Sequence, residues 1–413
     1  MASRHPQGSM LEKLYKETGI PLAKDFGVTY PEYFTNPAAE YNAQVAYAGV
    51  IDLTHWAILR VTGADRTTFL NAMLTNDVSV LETDEGCHTL ITTTKGKIVA
   101  ELYVFARADD MIVFVSQGDA EGARKVLEKH IIMEDVKIED VSNDFGLLAI
   151  EGPKAYDCLW RMFPTGPFPK DNLHAVTRQF EHIDFYVMKN TVTGDEGYHL
   201  MIPAADLERM RTYLLQAARG SDGLAVGRIA WNMRRIENGL PWYGFDFTDA
   251  NFPNESRFED TVSYSKGCFL GQETLARLKY RGHVNRLLVG LAVEDENWSN
   301  VADTLTSEFT KWINNYDEIG LSKGAGLVAT ALDLRETYPP ESQLFLPEGD
   351  SKSVGRITSA VYSPALERPL LLGYVHHNHA TPGGRLVLRG PKTEYRVRIT
   401  DLPTTAEDFS NTP

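Results

Sequence analysis

The residues with the most chemical potential in this chain lie in KGCFLGQE, residues 266–273. Lys266 lies two residues before Cys268, and a predicted helix begins near Gln272. A nearby cation and a helix N-terminus both stabilise a thiolate and so lower the pKa of a cysteine. The same residues also fit a tight turn in which Cys268 is a small packing residue, since cysteine is among the most often buried types. Composition and spacing alone leave both interpretations open.

Glu101 stands among apolar residues in GKIVAELYVFA, residues 96–106. As a strand, this segment places Val99, Glu101, Tyr103 and Phe105 on one largely apolar face. A buried carboxylate must be paired or protonated, because an ionised group is costly in a low dielectric. Glu101 is therefore a candidate acid that hydrogen-bonds a heterocycle or receives a proton. A glutamate at a sheet edge, paired with an arginine, is the alternative that the sequence leaves open.

Three further groups have residue types that bind ligands. Gln117 follows an apolar strand and precedes a predicted helix, where an amide binds a ligand or caps the helix. In the predicted helix GRIAWNMRRIENG, Arg228, Arg234 and Arg235 offer an anion-binding face, although a solvated, salt-bridged face is the commoner outcome. The histidines of HHNH, residues 376–379, have no fixed helical offset, so we expect no metal site there. The sequence contains no Walker loop, dinucleotide fingerprint or Gly-x-Ser-x-Gly elbow.

The composition indicates a soluble, cytoplasmic chain of two or three domains. Its 413 residues exceed one compact core of ordinary size. With 41 Lys and Arg against 56 Asp and Glu, the net charge of −15 disfavours a nucleic-acid partner held by phosphate contacts. No apolar run reaches the roughly 18 residues that span a bilayer, so no membrane partner is expected. Cys87, Cys158 and Cys268 are widely spaced, which fits a reducing compartment and neither a disulfide framework nor a metal site.

The elements that must position these residues repeat along the chain. ILRVTGADRTTFLNAML carries a strand through Gly63 into a helix, and LLAIEGPKAYDCLWRMF does the same through Gly152. In each, an alternating pattern changes to a 3.6-residue period across a glycine turn. We therefore predict an α+β fold with a duplicated half-domain, each half packing a helix on an antiparallel sheet. VGRITSAVYSPALERPLLLGYV predicts a strand, a turn and a strand of a small C-terminal β-barrel.

These patterns divide the chain into four parts. Residues 1–30 are an N-terminal extension that takes no part in the fold prediction, and 31–145 are the first α+β half. Residues 146–285 are the second half, which ends in the Lys-Gly-Cys segment, and 286–413 are the barrel. The polar, proline-interrupted stretch from about 294 to 350 is predicted to be a surface insertion in that barrel.

The order of these segments resembles that of one known superfamily. AGVIDLTHWAILRVTGADRTTFLNAMLTNDV, GKIVAELYVFA, LLAIEGPKAYDCL, VTGDEGYHL and VGRITSAVYSPALERPLLLGYV follow one another as in the glycine-cleavage T-protein (aminomethyltransferase, GcvT) superfamily. KGCFLGQETLARLKYRGHVNR is similar to the Lys-Gly-Cys signature of its YgfZ branch. The resemblance implies three domains, with duplicated ferredoxin-like halves around a central opening that binds tetrahydrofolate, and a C-terminal β-barrel. It makes 31–145 the folate-binding half.

The resemblance also implies roles for single residues. Glu101 stands at the position of the T-protein's catalytic aspartate, and Gln117 at that of a folate-contacting asparagine. His199 stands where the T-protein has a glutamate that holds the pterin, Trp231 replaces an arginine of the folate site, and Val192 replaces a tyrosine. A neutral histidine offers no bidentate carboxylate to a pterin edge. These departures disfavour ordinary aminomethyl transfer in glycine cleavage.

From this resemblance we expect Glu101, Cys268 and Lys266 to be the catalytic residues, with Cys268 a functional thiol as in the YgfZ branch. No metal ligand is expected. The residues expected to bind tetrahydrofolate, or a methylated or methylene derivative of it, are Glu101, Tyr103, Gln117, His199, Trp231 and Gln272.

Two functions follow from these expectations. The first is a YgfZ-like, folate-binding protein that supports assembly or repair of iron–sulfur enzymes, with an iron–sulfur protein as partner. The alternative is a tetrahydrofolate-dependent methyl or aminomethyl transferase that acts on a small methylated substrate. The contiguous Lys-Gly-Cys signature favours the first, and the acid retained at Glu101 favours the second. A binding scaffold without folate is a third interpretation, since a fold does not fix a function.

Overall fold

Strands and helices alternate up to residue 285, and strands predominate after it. None of the helices in the part of the chain described here is both long and apolar enough to cross a membrane. The computed structural model describes residues 9–25, 28–118, 120–164, 166–294, 333–335, 337–347, 352–390 and 394–404.

The secondary structure elements are numbered in chain order. The strands are β1 (Leu22–Asp25), β2 (Val28–Pro31), β3 (Gly49–Asp52), β4 (Ala57–Thr62), β5 (Gly86–Thr92), β6 (Ile98–Ala106), β7 (Met111–Gly118), β8 (Lys137–Asp140), β9 (Phe145–Glu151), β10 (Ala175–Phe180), β11 (Ile183–Lys189), β12 (Gly197–Pro203), β13 (Leu224–Val226), β14 (Arg286–Val293), β15 (Gln343–Phe345), β16 (Gly355–Ser363), β17 (Arg368–His376), β18 (Arg385–Arg389) and β19 (Glu394–Thr400). The α-helices are α1 (Glu12–Glu17), α2 (Pro37–Ala46), α3 (Arg66–Met73), α4 (Ala120–Lys129), α5 (Ala155–Met162), α6 (Leu207–Arg219), α7 (Arg228–Glu237) and α8 (Gln272–Arg281).

Two glycine turns connect strands to helices, as the repeated sequence pattern predicts. Gly63 joins β4 to α3 with φ +107°, and a Cβ atom there would lie 1.9 Å from the carbonyl oxygen of Asp135. Gly152 joins β9 to α5 with φ +123°, and a Cβ atom there would lie 2.5 Å from the carbonyl oxygen of Gln44. Only glycine fits both turns, because the left-handed backbone and the close approach each exclude a side chain. Both strand–glycine–helix units are confirmed.

The two half-domains share one strand order, with one strand added in the second. The first sheet has the order β5–β6–β7–β4–β8, and the second has the order β10–β11–β12–β9–β3–β13. Strand β3 pairs with β9 in antiparallel and with β13 in parallel orientation. It therefore lies inside the second sheet, although it precedes the first sheet in the chain. The predicted first half, 31–145, thus does not form one sheet alone, because its strand β3 completes the other.

Each sheet is covered by helices on one face. Helices α3 and α4 pack on the first sheet, where Phe69, Leu70 and Leu127 share a core with Leu102 and Val104 of β6. Helices α5 and α6 cover the second sheet in the same way. The opposite faces of both sheets contribute to one shared core, together with α7 and the barrel. The α+β fold class predicted from the sequence is confirmed.

A β-bulge changes which face one residue occupies in β6. The pairing of β5 with β6 skips Val99, which has no partner opposite it. Val99 therefore packs with the core beneath α3 and α4, whereas Ile98 packs with Phe247 and Phe258 on the opposite face. The strict alternation predicted for this strand is wrong at Val99, because an extra residue in a bulge reverses the facing on one side of it.

Six strands close the C-terminal barrel, in the order β14–β17–β16–β15–β18–β19. Strands β16 and β17 form the predicted hairpin. Strand β15 lies within the stretch predicted as an insertion, yet it pairs with β16 and β18, and Leu344 is fully buried. The insertion prediction is therefore wrong for this strand, whose apolar residues complete the barrel wall. Residues 295–332 of the same stretch lie outside the described residues.

A buried arginine connects three parts of the molecule. Arg228 at the start of α7 is 1% exposed, and its guanidinium nitrogens lie 3.7, 3.3 and 2.9 Å from carboxylate oxygens of Asp25, Glu32 and Asp333. Asp25 ends β1, Glu32 follows β2, and Asp333 forms a bridge with barrel strand β16. Arg335 pairs with Asp25 and Asp333. This ion-pair network joins the β1–β2 hairpin and α7 to the barrel.

Candidate functional site

A cavity of about 390 Å³ lies against the face of the first sheet that points away from α3 and α4. Its wall includes residues of β5, β6 and β7, of the loop 190–194, of α7 and of the segment 238–261. This volume is typical of a site that binds a small organic ligand. Five large aromatic side chains line it, those of Trp56, Tyr103, Trp231, Trp242 and Phe258.

Glu101 lies in this wall, and each of its carboxylate oxygens has a separate partner. Oε1 is 2.7 Å from Nε2 of His88, and Oε2 accepts a hydrogen bond of 2.9 Å from Oγ of Ser116. The carboxylate is therefore paired, as burial requires, and it is held in one orientation. The alternative of a glutamate at a sheet edge is wrong, because β6 lies between β5 and β7 inside the first sheet.

Three parallel rings form one side of the cavity. The rings of His88 and Tyr103 are 4.4 Å apart at 7°, because these residues stand opposite each other in the β5–β6 ladder. The ring of Trp56 follows that of Tyr103 at 5.8 Å and 9°. Burial, together with the Glu101 carboxylate, raises the pKa of Tyr103 well above its usual range, so the phenol stays neutral. The stack gives an uncharged platform on which a planar ligand ring can pack.

Trp231 and Trp242 form a second aromatic surface of the cavity. Their ring centroids are 4.1 Å apart. The guanidinium of Arg235 lies 5.4 Å from the centroid of Trp242. Trp231, a predicted folate-binding residue, thus lies at the cavity wall together with a tryptophan that the sequence analysis did not identify.

The arginines of α7 are structural ion pairs. Arg234 contacts Asp195 at 2.5 Å and Glu237 at 2.7 Å. Arg235 pairs with the buried Asp246 at 2.7 Å, and Arg228 belongs to the network at the barrel described above. The salt-bridged alternative is the one observed, although these side chains are largely buried rather than exposed.

Glu151 shapes the loop 190–194 at the cavity. Its buried carboxylate accepts hydrogen bonds of 2.8 Å from the hydroxyl of Thr191 and from the backbone N–H of Val192. The backbone N–H of Thr193 adds a third at 3.3 Å. A carboxylate that accepts several donors at once fixes the path of the chain around it. Val192, which by the resemblance replaces a tyrosine of the T-protein, is held at the cavity wall in this way.

His199 lies behind the wall. Its side chain is 2% exposed, with Nε2 3.4 Å from Oε1 of Glu151. Its ring meets the ring of Trp56 edge-on at 5.5 Å. His199 is not among the residues that line the described cavity, so it supports Trp56 and Glu151 from the second sheet. A direct contact of His199 with folate stays a prediction.

Lys266 is buried at the C-terminal end of α3. Its Nζ donates hydrogen bonds to the carbonyl oxygens of Asn71, Leu74 and Asn76 at 2.7, 2.7 and 2.6 Å. The last carbonyls of a helix lack partners within the helix, and a cation there also interacts well with the helix dipole. Burial lowers the pKa of Lys266 to about 8, so the ammonium remains charged at pH 7. Lys266 lies outside the cavity wall, and a catalytic role for it stays a prediction.

Of the rest of the Lys-Gly-Cys segment, Gly267 and Cys268 lie at the protein surface, whereas Phe269 is buried against Val262 and Leu275. Cys268 is exposed, so the interpretation as a buried packing residue is wrong. Gln272 begins α8, with its Nε2 3.5 Å from the carbonyl oxygen of Gly267. Neither Cys268 nor Gln272 lines the described cavity. Their predicted catalytic and folate-binding roles remain untested by this geometry.

The cavity brings together three of the predicted site residues, Glu101, Tyr103 and Trp231. Gln117 stands opposite Glu101 in the β6–β7 ladder, but its side chain lies outside the described residues. The folate-binding assignments of these residues stay predictions, now with a common location for the first three.

Four histidines meet at the surface beside the barrel. The ring of His377 lies 4.3 Å from that of His283 and 4.7 Å from that of His376, and His379 is 6.1 Å from His376. Desolvation and the neighbouring histidines lower the pKa of His377. Within the described ranges, no three His, Cys, Asp or Glu side chains are placed to hold a metal ion.

Four further residues that line the cavity were not predicted from the sequence: Trp56, His88, Ser116 and Trp242. A usable signal was present for His88. CHTLITTTKGKIVAELYVF is an antiparallel hairpin, and its register places His88 opposite Tyr103. A cross-strand neighbour on the same face as Glu101 is within reach of its carboxylate. Ser116 had no such signal, because its contact depends on a register shift between β6 and β7.

The amino-acid sequence matches the GCVT N-terminal domain family over residues 11–266, which is more than half of the chain. The chain belongs to this family. Its residues 326–405 match the glycine cleavage T-protein C-terminal barrel domain, in agreement with the closed six-stranded barrel. The resemblance to the T-protein superfamily is confirmed. Membership of the YgfZ branch stays a prediction.

Relatives of this T-protein family member extend over most of its length. An aminomethyltransferase of Chlorobium luteolum is 24% identical over 392 residues, covering 94% of this chain and 96% of the relative. One of Thermoanaerobacter sp. is 27% identical over 292 residues, covering 69% and 78%. The crystal structure of glycine cleavage system aminomethyltransferase T from Bartonella henselae superposes with a TM-score of 0.77 at 19% identity, covering 97% and 98%. This likeness confirms the predicted T-protein fold.

Tetrahydrofolate is the cofactor of the aminomethyltransferases in this T-protein family, in agreement with the cofactor expected from the resemblance. Its pterin is a flat heterocycle with N–H donors. The ring stack at Tyr103 provides a flat surface, and the Glu101 carboxylate provides an acceptor within the same wall. The residues of the described cavity therefore fit the cofactor in shape and in hydrogen-bonding chemistry.

Proposed function

We propose that this protein is a tetrahydrofolate-dependent one-carbon transferase, of the methyl or aminomethyl type, that acts on a small methylated substrate. The observation that carries the proposal is Glu101, an acid held by two hydrogen bonds in the wall of an aromatic cavity. A relative that matches nearly the whole chain is named an aminomethyltransferase. Support for the transferase exceeds that for the iron–sulfur accessory role, because Lys266 of the signature caps a helix.

When bound, tetrahydrofolate would supply the amine that accepts the one-carbon unit. Tyr103 and Trp56 on one side, and Trp231 and Trp242 on the other, would hold planar rings by stacking and keep water from the reacting atoms. Glu101, fixed by its two partners, would hold hydrogen bonds to the ligand in place. The chain thus contributes orientation and a proton-handling group.

The cavity lining favours a small methylated substrate over the aminomethyl carrier of glycine cleavage. Trp231 stands where the T-protein pattern has an arginine, and Trp242 packs against it at 4.1 Å. Arg235, whose guanidinium lies 5.4 Å from the Trp242 ring centroid, is paired with Asp246. This side of the cavity is therefore apolar, and it matches a methyl group better than an anionic one.

Calorimetric titration of the purified protein with tetrahydrofolate and with 5-methyltetrahydrofolate tests the proposal. We expect binding to the wild type and a loss of about tenfold or more in Glu101→Ala, since a hydrogen bond to a charged group contributes about 1.5–3 kcal/mol. Glu273→Ala, a change of an exposed carboxylate on α8, serves as the matched control. If the wild type produces no binding heat with either folate, the proposal is wrong. If it binds, methyl donors can be screened by mass spectrometry.

The YgfZ-like accessory role is the second candidate function. It is favoured by Cys268, which is exposed beside the start of α8 within the Lys-Gly-Cys segment. In cells that lack the native gene, the activities of iron–sulfur enzymes can be compared after complementation with the wild type or with Cys268→Ala. Full restoration by Cys268→Ala would contradict a role of this thiol. Failure of that variant, with normal protein levels, would favour the accessory role.

A further inference from the structure

His88 has the contacts of a residue that handles protons at the cavity. Its Nε2 lies 2.7 Å from Oε1 of Glu101, and the ring is clamped between the face of Tyr103 at 4.4 Å and the edge of Phe258 at 5.9 Å. Among the described residues, no protein group hydrogen-bonds to the other ring nitrogen, Nδ1. His88 lines the cavity, so the ring is fixed on one side and open to a ligand on the other.

Exposure distinguishes the roles of the two residues. The His88 side chain is 28% exposed, whereas that of Glu101 is 7% exposed. Both Glu101 oxygens already have protein partners, because Ser116 occupies the one that His88 does not contact. A ligand in the cavity therefore meets the imidazole of His88 more readily than the carboxylate of Glu101. An imidazole oriented by a buried carboxylate is a common arrangement for accepting a proton.

We propose that His88 is the proton-accepting residue of the cavity and that Glu101 is the carboxylate that positions it. This inference rests on the proposed one-carbon transfer. When a carbon unit binds to an amine, the new C–N bond uses the amine lone pair and the substrate leaving group departs with the electrons of the broken bond. The N–H proton of the amine then passes to Nδ1 of His88. The imidazolium keeps its Nε2–H hydrogen bond to the ionised Glu101.

The surrounding charges agree with this assignment. Besides Glu101, the titratable groups that line the cavity together with His88 are His55, the phenol of Tyr103 on β6, Arg235 of α7, and Arg257 and Asp260 of the segment 238–261. The Tyr103 phenol is neutral, since burial raises its pKa. Glu101 is therefore the anion in hydrogen-bonding contact with the His88 ring, and it favours the tautomer with the proton on Nε2.

Nitrogen NMR of the protein, recorded without and with tetrahydrofolate, tests the assignment without a known substrate. In protein labelled with 15N-histidine, the resonances of His88 are identified by their loss in His88→Gln. When the His88 imidazole of the wild type is neutral, we expect a protonated Nε2 and an unprotonated Nδ1. We also expect the Nδ1 resonance to shift when tetrahydrofolate is added to saturation. In Glu101→Gln the preference for the Nε2–H tautomer should be lost. His182, whose side chain is 69% exposed, serves as an internal control.

The outcomes separate this inference from the proposed function. If calorimetry detects no tetrahydrofolate binding, the proposed function is wrong and His88 loses its role with it. If tetrahydrofolate binds but Nδ1 of His88 does not respond, or carries the proton in the free protein, His88 is a packing residue and the inference alone is overturned.

The variant His88→Gln tests catalysis against positioning once a methyl donor is found. His88→Gln keeps an amide N–H near the place of Nε2, so it preserves a donor to Glu101 but accepts no proton. We expect a turnover rate lowered about 100-fold or more, as for loss of a general base, and a much smaller loss of tetrahydrofolate affinity. Wild-type turnover in His88→Gln would show that the ring only positions Glu101.

Discussion

Tyr103 is the single residue on which the geometry of the cavity wall depends most. Its ring contacts His88 on one face and Trp56 on the other, and it follows Glu101 by two positions along β6. Removing it separates the histidine end of the stack from the tryptophan end. The contribution of the stack can therefore be measured apart from that of the acid.

We expect Tyr103→Leu to lower the free energy of unfolding by about 1–3 kcal/mol, because two ring pairs are lost and each contributes about 0.5–1.5 kcal/mol. The same change should weaken tetrahydrofolate binding. Tyr103→Phe keeps the ring and is expected to behave like the wild type in both respects. Urea unfolding and calorimetry provide the measurements. Equal loss in Phe and Leu variants would show that the hydroxyl, and not the stack, matters.

Glu40 provides a prediction about pH. Its buried carboxylate accepts hydrogen bonds from the backbone N–H groups of Phe34, Thr35 and Gly227, but burial dominates and raises its pKa to about 7. A carboxyl with a raised pKa in the folded state stabilises the protein fully below its ordinary pKa near 4.5, and this contribution is lost as the pH rises through about 7.

The wild type should therefore lose stability relative to Glu40→Gln between pH 5 and pH 8, by about 3 kcal/mol at most. Glu40→Gln itself is expected to be destabilised at acidic pH, because one of its amide N–H groups faces a backbone donor. Unfolding in urea across this range, compared between the two proteins, gives the difference at each pH. A difference that stays constant with pH would mean that Glu40 titrates near its ordinary value.

At the residue scale, the sequence shows an acid on an apolar strand, and of its two partners only His88 has a usable signal. Glu101 was identifiable because a charged residue interrupts an otherwise apolar period of two. His88 and Ser116 reach it from neighbouring strands, and the register shifts at Ile91/Thr92 and at Glu101/Leu102 decide which residues lie side by side. Such bulges change the facing of residues without a distinct sequence pattern.

At the scale of elements, Lys266 completes the end of helix α3. Lys266→Met should lower the free energy of unfolding by about 2–4 kcal/mol, because it leaves one buried and two half-buried carbonyl groups without this donor. Cys268→Ala, two residues away and exposed, should change it by less than about 0.5 kcal/mol. Thermal and urea unfolding of the two variants would reveal the contrast. A mild effect of Lys266→Met would favour a functional over a structural role for this lysine.

Substitution by alanine can also distinguish a glycine that the backbone geometry requires from one with open space around it. Gly63→Ala places a Cβ atom 1.9 Å from a backbone oxygen at positive φ, so we expect a loss of at least about 2 kcal/mol in unfolding free energy. Gly267→Ala meets no atom within 4 Å and should be neutral for folding. If Gly267→Ala folds normally but fails in the iron–sulfur complementation assay, the glycine of the Lys-Gly-Cys segment serves a binding partner.

Element prediction succeeded where elements are long and failed where they are short. The helices α7 and α8 and the hairpin of β16 and β17 all have clear periods in the sequence. Strands β13 and β15 have three residues each, which is too few to show any period. The fold needs both of them, because β13 completes the second sheet and β15 closes the barrel.

At the scale of the whole molecule, Arg228 connects the β1–β2 hairpin, α7 and the residues that precede β15. Among the described residues, Arg228→Met leaves Arg335 as the one cation paired with Asp25 and Asp333, and we expect a loss of about 3–5 kcal/mol in unfolding free energy. Arg277→Met removes an exposed helical pair with Glu273 and should cost about 0.5 kcal/mol or less. Similar small losses in both variants would show that the buried network does not hold the parts together.

The overall architecture could be predicted because the order of many weak segments is more specific than any one of them. The strand–glycine–helix repeat gave the two halves and the late strand pair gave the barrel, in agreement with the closed topology. The place of β3 could not be predicted, since a four-residue apolar strand pairs equally well with either sheet until the tertiary fold is known.

That placement of β3 has a consequence for biosynthesis. Residues 53–144, between β3 and β9, contain every strand of the first sheet. The first half is therefore a continuous domain inserted into a second, discontinuous domain. During translation the whole inserted domain emerges from the ribosome before β9 is synthesised. We expect it to fold at that stage, while β3 is still unpaired. The second sheet can be completed only after β13 has been synthesised, because β13 pairs with β3. When a denatured full-length chain refolds, all strands are present at once, and the long segment between β3 and β9 must be closed to pair them. We therefore expect refolding from denaturant to be slower than folding during translation.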